Sequence, residues 1–189
     1  KKKRICALAI SSHTVTMLPL DENRSPLRNA LTCQDGRSGK EMYKIVNQIG
    51  KERFTKIVGG QPAVAFLPNK IEWYRIHEPE LFSKTRYYSQ ASSYLNMKLT
   101  GTLVTDMDQA ARTQCMDINR MMWSEEIGNV LGVSLKEVMP ELKNVDDVIG
   151  KVIKEASEET LLPEGIPVLA GCSDALASMY AMGLCKLGD

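Results

Sequence analysis

The sequence predicts an α/β or α+β fold with one continuous core, on three observations. Apolar runs of strand length stand near both ends, "ICALAIS" (5–11) and "IPVLAGC" (166–172). Between them, from about residue 51 to 157, caps and glycine or proline stops recur at helical spacing. With 43% hydrophobic residues, 189 residues can bury a substantial core. The pattern is a small mixed sheet, a helical insertion over approximately 51–157, and a return to the sheet.

Each element has its local signal. "TVTMLPLD" (14–21) alternates well enough for a second strand, "DENRSP" is turn chemistry, and "LRNALTC" (27–33) reads as a short third strand. The opening is then mostly antiparallel. Ser38 is placed to cap the helix "GKEMYKIVNQI", and Gly50 to close it. "NKIEWYRIHEPELFSKT" sets Ile71, Trp73, Tyr74 and Ile76 on a helix ended by Pro79. "SQASSYLNMKLTG" is a further helix stopping at Gly101. Ser124 and Ser134 start two short helices, and "NVDDVIGKVIKEASEET" reads as one helix. Pro163-Glu164-Gly165 turns the chain into "IPVLAGC", and Ser173 starts the last helix.

Bulk properties exclude several classes. Lys+Arg 24 against Asp+Glu 23 gives no basic excess for a nucleic acid partner. The single basic run, Lys1-Lys2-Lys3-Arg4, reads as a solvated strand edge. Cys6, Cys33, Cys115, Cys172 and Cys185 form no CxxC pair, which fits reduced thiols in a cytoplasmic protein. His13 and His77 stand apart from any cysteine pair, against a structural zinc site. No run approaches the roughly 20 apolar residues of a membrane span, and no signal peptide is read. The chain opens directly on a buried-type strand and stops on a turn, so a piece of a longer protein is expected.

Four candidate features reduce to plain structure. "GRSGK" (36–40) has two residues between its glycines and Glu41 after the lysine, so it is too short and too acidic for a phosphate loop. "GGQP" (59–62) reads as a turn. Trp73 and Tyr74, candidates to stack on a ligand, read instead as residues of an amphipathic helix that buries one of them, and the ten methionines as core filler. Two aspartates hold more interest. Asp35, beside Gly36 and Arg37, is either an Asx-turn residue or a carboxylate at a strand's carboxyl end, where α/β sheets place ligands. Asp174 closes "IPVLAGCS" and opens a helix, a junction where burying a carboxylate is expensive. Ser173 beside it is able to cap, and the small neighbours Gly171, Cys172, Ser173 and Ala175 leave room for a ligand, which suits a general base.

The ordered set of motifs resembles the FGGY carbohydrate kinases, the xylulose, gluconate and glycerol kinase group. The matching residues are Thr105-Asp106, Ala110, Asp117 and Trp123, then Pro163, Gly165, Pro167, Val168 and Asp174. "LAISSHTVTMLPLDENRSPLRNALTCQDGRS" resembles the family's stretch of strand, substrate loop, strand and W-x-D-x-R. The resemblance implies an actin-like, ribonuclease H-like domain. On it, residues 1–189 are an incomplete N-terminal, sugar-binding domain of a two-domain kinase whose ATP-binding domain is absent from the chain. The implied activity is transfer of the ATP γ-phosphate to a hydroxyl of a sugar, sugar acid or polyol, with ATP and Mg²⁺ as cofactors. Carried over by position, Asp174 is the catalytic base. His13, Thr14, Val15, Cys33, Gln34, Asp35, Phe66 and Ala175 are the substrate-binding positions. No metal ligand falls in the chain. The implied partners are a small sugar or polyol and ATP, with no nucleic acid or membrane, and a homodimer is left open.

The departures are specific. Where xylulose kinases carry Gln-Met-His and glycerol kinases Gln-Arg-Glu, this chain has His13-Thr14-Val15, and Cys33 replaces the family's usual Trp. A site without those groups leaves polyol oxygens to other partners, so known substrates are not copied onto it. The family's Asp-x-Gly-Thr phosphate loop is expected before Lys1, and its second phosphate loop after Asp189. The alternatives are a non-catalytic sugar-binding or regulatory protein on the same fold, suggested by the altered loop, and an unrelated α/β domain.

Overall fold

The computed structural model describes residues 5–184 and 186. In chain order the elements are β1 (Leu8–Ser12), β2 (Leu18–Leu20), α1 (Gly39–Ile49), α2 (Lys51–Val58), α3 (Leu67–His77), α4 (Pro79–Lys84) and β3 (Tyr87–Ser89). Then follow α5 (Ala91–Thr100), β4 (Val104–Asp106), α6 (Met107–Arg112), β5 (Met116–Asp117), β6 (Met122–Trp123), α7 (Glu125–Leu131) and α8 (Leu135–Val138). The last are β7 (Glu141–Lys143), β8 (Val148–Lys151), α9 (Lys154–Thr160), β9 (Pro167–Ser173) and α10 (Asp174–Ala181). The run Lys1–Arg4 and Cys185 lie outside the described residues.

Helix ends follow the local signals. Gly101, at φ 78°, stops α5 with a bond from its N–H to the Met97 carbonyl. Pro79 ends α3 and opens α4, since it cannot donate into a preceding turn. Ser124 caps α7 by accepting from the Ile127 amide. Ser38 and Ser134 precede α1 and α8 without side-chain caps. The Ser38 hydroxyl donates instead to the Val64 carbonyl.

The strand pairings differ from expectation. β1 pairs in parallel with β9, and β2 pairs antiparallel with β3. The 27–33 stretch is not a strand; single bridges join Met17 to Leu31 and Leu20 to Pro26. Nor is 51–157 a helical insertion, because it holds β3 to β8, and β8 lies in the same sheet as β1 and β9. The expected 144–160 helix begins as β8: β-branched Val148 and Ile149 enter the sheet, and only Lys154–Thr160 is helical.

The chain divides into two compact units rather than one core. The first takes residues 1–13, 91–109 and 141–189, and the second 14–90 and 110–140. In the first, β9 is the central strand of the order β1-β9-β8, and β4 pairs in parallel with β7. Leu99, Val104, Ile149, Val152, Ala156, Val168 and Ala170 form its core, with Leu8 and Ile10 against it. Asn96 of α5 donates to the Ala170 carbonyl at 2.9 Å, tying the helix to the central strand. Gly171 sits at φ 84° where the β1–β9 register shifts, and a Cβ there would stand 2.1 Å from the Ile10 carbonyl oxygen. Only glycine makes that bulge.

In the second unit α3 is the central helix, with Leu67, Ile71 and Tyr74 fully buried. Its Asn69, Lys70 and Glu72 are buried too. Glu72 holds Arg75 at 2.7 Å and Lys44 at 2.5 Å, and these cations keep its carboxyl below the usual range against the upward push of burial. Of the two aromatic residues it is Tyr74 that is buried, while Trp73 is half-buried, stacked on His77 with Arg37 over its face.

Candidate active site

The first unit gathers polar side chains where its parallel strands end. Ser12 and Ser173 are register partners in β1 and β9, so His13 and Asp174 each stand one residue beyond a paired strand end. Both are exposed. The expectation of a buried Asp174 is corrected: the helix it opens presents no fully buried residue, and the carboxylate faces solvent. Ser173 carries the cap, its hydroxyl accepting from the Leu176 amide at 3.1 Å. Asp174 Oδ1 accepts only the adjacent Ala175 amide, at 2.9 Å. The fold does not need this carboxylate as its cap, so it stands available to a ligand.

Behind this edge lie residues that the sequence reading treated as family matches or left out. The Ser173 amide donates to Asp108 Oδ2 at 3.0 Å. Gln109 Nε2 donates to the Ser12 hydroxyl at 3.0 Å and to its carbonyl at 3.2 Å. Asp106 is fully buried; Oδ1 accepts the Gln109 amide at 2.8 Å, and Oδ2 has no hydrogen-bond partner among the described residues. Burial, with the Asp108 charge adding, pushes the Asp106 carboxyl up to about 6 against the backbone amides that lower it. Burial and these two carboxylates also raise the Cys172 thiol, which makes it a poor nucleophile. The available signal was "TDMDQ", with Thr105 and Asp106 ending a short strand and Asp108 and Gln109 in the first turn of the helix after it.

The second unit holds Thr14, Val15, Cys33, Gln34, Asp35 and Phe66. Val15 is 6% exposed and sits at φ 64°, a left-handed conformation that strains a β-branched residue. Its carbonyl accepts from Lys70 Nζ at 2.6 Å, and the same ammonium reaches the Thr32 carbonyl at 2.7 Å and that of Leu31 at 3.5 Å. Cys33 and Gln34 are exposed on the turn that follows. Phe66 is half-buried in the N-cap position of α3, one turn before Lys70. Asp35 is engaged: Oδ1 accepts the Arg37 Nε at 2.8 Å and the Arg37 amide at 3.2 Å. Burial pushes its carboxyl up, and Arg37 and Lys70 outweigh that and leave it below the usual range. Both readings of Asp35 therefore remain: it closes a local turn and still lies beside the strained loop's lysine.

Lys70 escaped the sequence reading altogether. Burial draws its pKa down to about 8, against the opposing pull of Asp35 and Cys33. A cleft of about 590 Å³ elsewhere in this unit, lined by Arg53, Lys56, Arg120, Trp123 and Glu126, holds the family matches Asp117 and Trp123 but none of the expected catalytic or substrate-binding positions.

The model of the FGGY family of carbohydrate kinases, N-terminal domain, matches residues 1–181. The chain belongs to that family. A xylulose kinase of Lactococcus lactis is 29% identical over 182 residues, 96% of this chain and 36% of the relative. A glycerol kinase of Thermococcus onnurineus is 27% identical, covering 98% of this chain and 37% of the relative. The crystal structure of xylulose kinase from Rhodospirillum rubrum superposes with a TM-score of 0.94 at 26% identity, over 98% of this chain and 38% of that one. The chain thus spans a little over a third of the length of these relatives. Its mixed α/β architecture is that of FGGY kinases, whose fold is actin-like or ribonuclease H-like. Among the described residues no helix is long and apolar enough to cross a membrane.

The family uses ATP, typically with Mg²⁺. Among the described residues no group of three or more His, Cys, Asp or Glu side chains is arranged to hold a metal ion. The "GRSGK" turn leads into α1 with Glu41 buried in its first turn, where a phosphate would meet a carboxylate.

Proposed function

We propose that this chain is the acceptor-binding part of an ATP-dependent carbohydrate kinase in which Asp174 is the general base. The acceptor is a sugar, sugar acid or polyol of the classes named in its relatives, the xylulose, gluconate and glycerol kinases. Asp174 takes the proton of the attacking hydroxyl as that oxygen becomes a nucleophile. His13, Thr14, Val15, Cys33, Gln34, Asp35, Phe66 and Ala175 are the proposed acceptor contacts on the strength of the family resemblance. The protein is proposed to work in the cytoplasm on small molecules.

One observation carries the reading. Ser173 already caps α10, so the exposed carboxylate of Asp174 at the carboxyl end of β9 is spare to the fold. Open α/β sheets bind ligands beyond the carboxyl ends of their strands.

The test is Asp174→Asn in the full-length protein. Asn keeps the shape and the acceptor oxygen but not the basicity, so turnover falls by roughly 10²–10⁴ while acceptor affinity and melting temperature hold. Unchanged turnover would return Asp174 to the helix terminus alone. The absence of charge at Thr14 and Val15 favours one competing reading, a sugar-binding protein without catalysis. A wild-type protein that binds a sugar and transfers no phosphate would establish it.

A further inference from the structure

Lys70 is the most deeply placed cation in the second unit, with none of its surface exposed. A buried ammonium is costly, and the usual remedy is a carboxylate within bonding distance. Here the three bonds go to backbone carbonyls instead, those of Val15, Leu31 and Thr32. If the position served packing alone, a methionine would fill it without the desolvation cost. The acceptors explain the charge.

Those carbonyls belong to two segments that scarcely pair with each other. Met17 and Leu31 exchange both backbone bonds, at 2.8 and 2.9 Å, and form an isolated bridge. Beyond Met17 the chain turns away through the left-handed φ of Val15, and beyond Leu31 it enters the Thr32–Asp35 turn, closed by the Asp35 amide on the Thr32 carbonyl at 3.1 Å. The ladder stops where strained backbone begins. The Leu31 carbonyl accepts the Met17 amide and the Thr32 carbonyl the Asp35 amide; Lys70 Nζ adds a bond to each, and one to the Val15 carbonyl, from the side of α3, and so joins the two segments. Strain of this kind persists only where the surroundings over-determine it.

We infer that Lys70 is a positioning residue for acceptor recognition, a clamp that holds the 14–15 loop and the 32–35 turn in one arrangement and so sets how Thr14, Val15 and Asp35 are presented. Its role in recognition rests on the kinase reading above; the clamp itself does not. A compact ammonium with three donors suits three converging carbonyls, whereas a guanidinium is planar and spreads its donors in a fork.

The experiment uses the full-length protein with Lys70→Met and Lys70→Arg, read by hydrogen exchange and by steady-state kinetics on whichever sugar or polyol the wild type phosphorylates. In Lys70→Met the amides of Met17, Leu31 and Asp35 are expected to exchange at least about tenfold faster, while those of α7 stay protected. The acceptor KM rises about tenfold or more with kcat within about threefold, the signature of lost binding geometry rather than lost chemistry. Lys70→Arg keeps the charge and folds, yet raises KM several-fold because its fork cannot converge on the same point. Unchanged exchange at the three amides overturns the clamp whatever the protein's activity. Faster exchange with an unchanged KM reduces Lys70 to a brace and overturns the recognition role. If Lys70→Met does not fold, an unaltered acceptor KM in Lys70→Arg overturns the proposal by itself. A wild type that phosphorylates no sugar, sugar acid or polyol defeats the kinase reading and the recognition role with it, and the exchange result still decides the clamp.

Discussion

Replacing Asp106 by Asn should change how the stability of this chain depends on pH. Asp106 is fully buried, and its carboxyl is raised from an ordinary 3.8 to about 6. That displacement is worth about 3 kcal/mol of preference for the neutral acid. The folded chain holds this proton more tightly than the unfolded chain does. Stability therefore falls as pH rises between about 4 and 6, and the whole penalty is present above that window. Asparagine cannot ionise. Its amide oxygen still accepts the Gln109 N–H that Oδ1 accepts now, and its NH₂ in place of the unpartnered Oδ2 adds a constant cost of about 1–3 kcal/mol. The informative quantity is the slope, not the offset. Urea midpoints of wild type and Asp106→Asn, taken in steps from pH 4 to 7.5, should show the variant gaining about 3 kcal/mol on the wild type across the range. Parallel profiles would mean that Asp106 titrates normally and that burial is not perturbing it.

Two further substitutions test the same edge. Gly171→Ala drives a Cβ to 2.1 Å from the Ile10 carbonyl oxygen at a backbone angle alanine resists, so a loss of more than about 3 kcal/mol and little soluble folded chain are expected by circular dichroism. Ser173→Ala removes the acceptor of the Leu176 amide and should lower stability by about 1 kcal/mol, whereas Asp174→Asn should leave the melting midpoint nearly unchanged; equal losses from both would assign the cap to Asp174.

What the sequence made legible was local, and what it hid was long-range. Gly101, Pro79, Ser124 and Ser173 act through the chain's own next turn, so residue type alone places them. The partner of β1 is chosen by register with a strand far along the chain, and nothing in "ICALAIS" encodes that choice. β8 was misread because Val145, Val148, Ile149, Val152 and Ile153 fall at spacings that also suit a helix; pairing with β9 decided otherwise. Asp174 stood out by its neighbours, but its exposure depends on what covers α10, which residue type does not report. Lys70 was invisible for a different reason. Its partners are carbonyl oxygens 38, 39 and 55 residues away, and every residue carries one.

The parallel pairing of β1 with β9 also sets a clock on biosynthesis. Leu8 meets Val168, so the first strand leaves the ribosome 160 residues ahead of its partner. At about 5–20 residues per second that delay is roughly 8–30 s. Residues 14–90 and 110–140 are all translated before β9 exists, so the second unit can complete itself while the first is still waiting. Throughout that interval an apolar segment offers unsatisfied N–H and C=O groups to any other nascent chain nearby. A transcript truncated before the codon for Pro167 would leave that segment permanently exposed, and its product would be a client for chaperones or proteases rather than a shortened working protein.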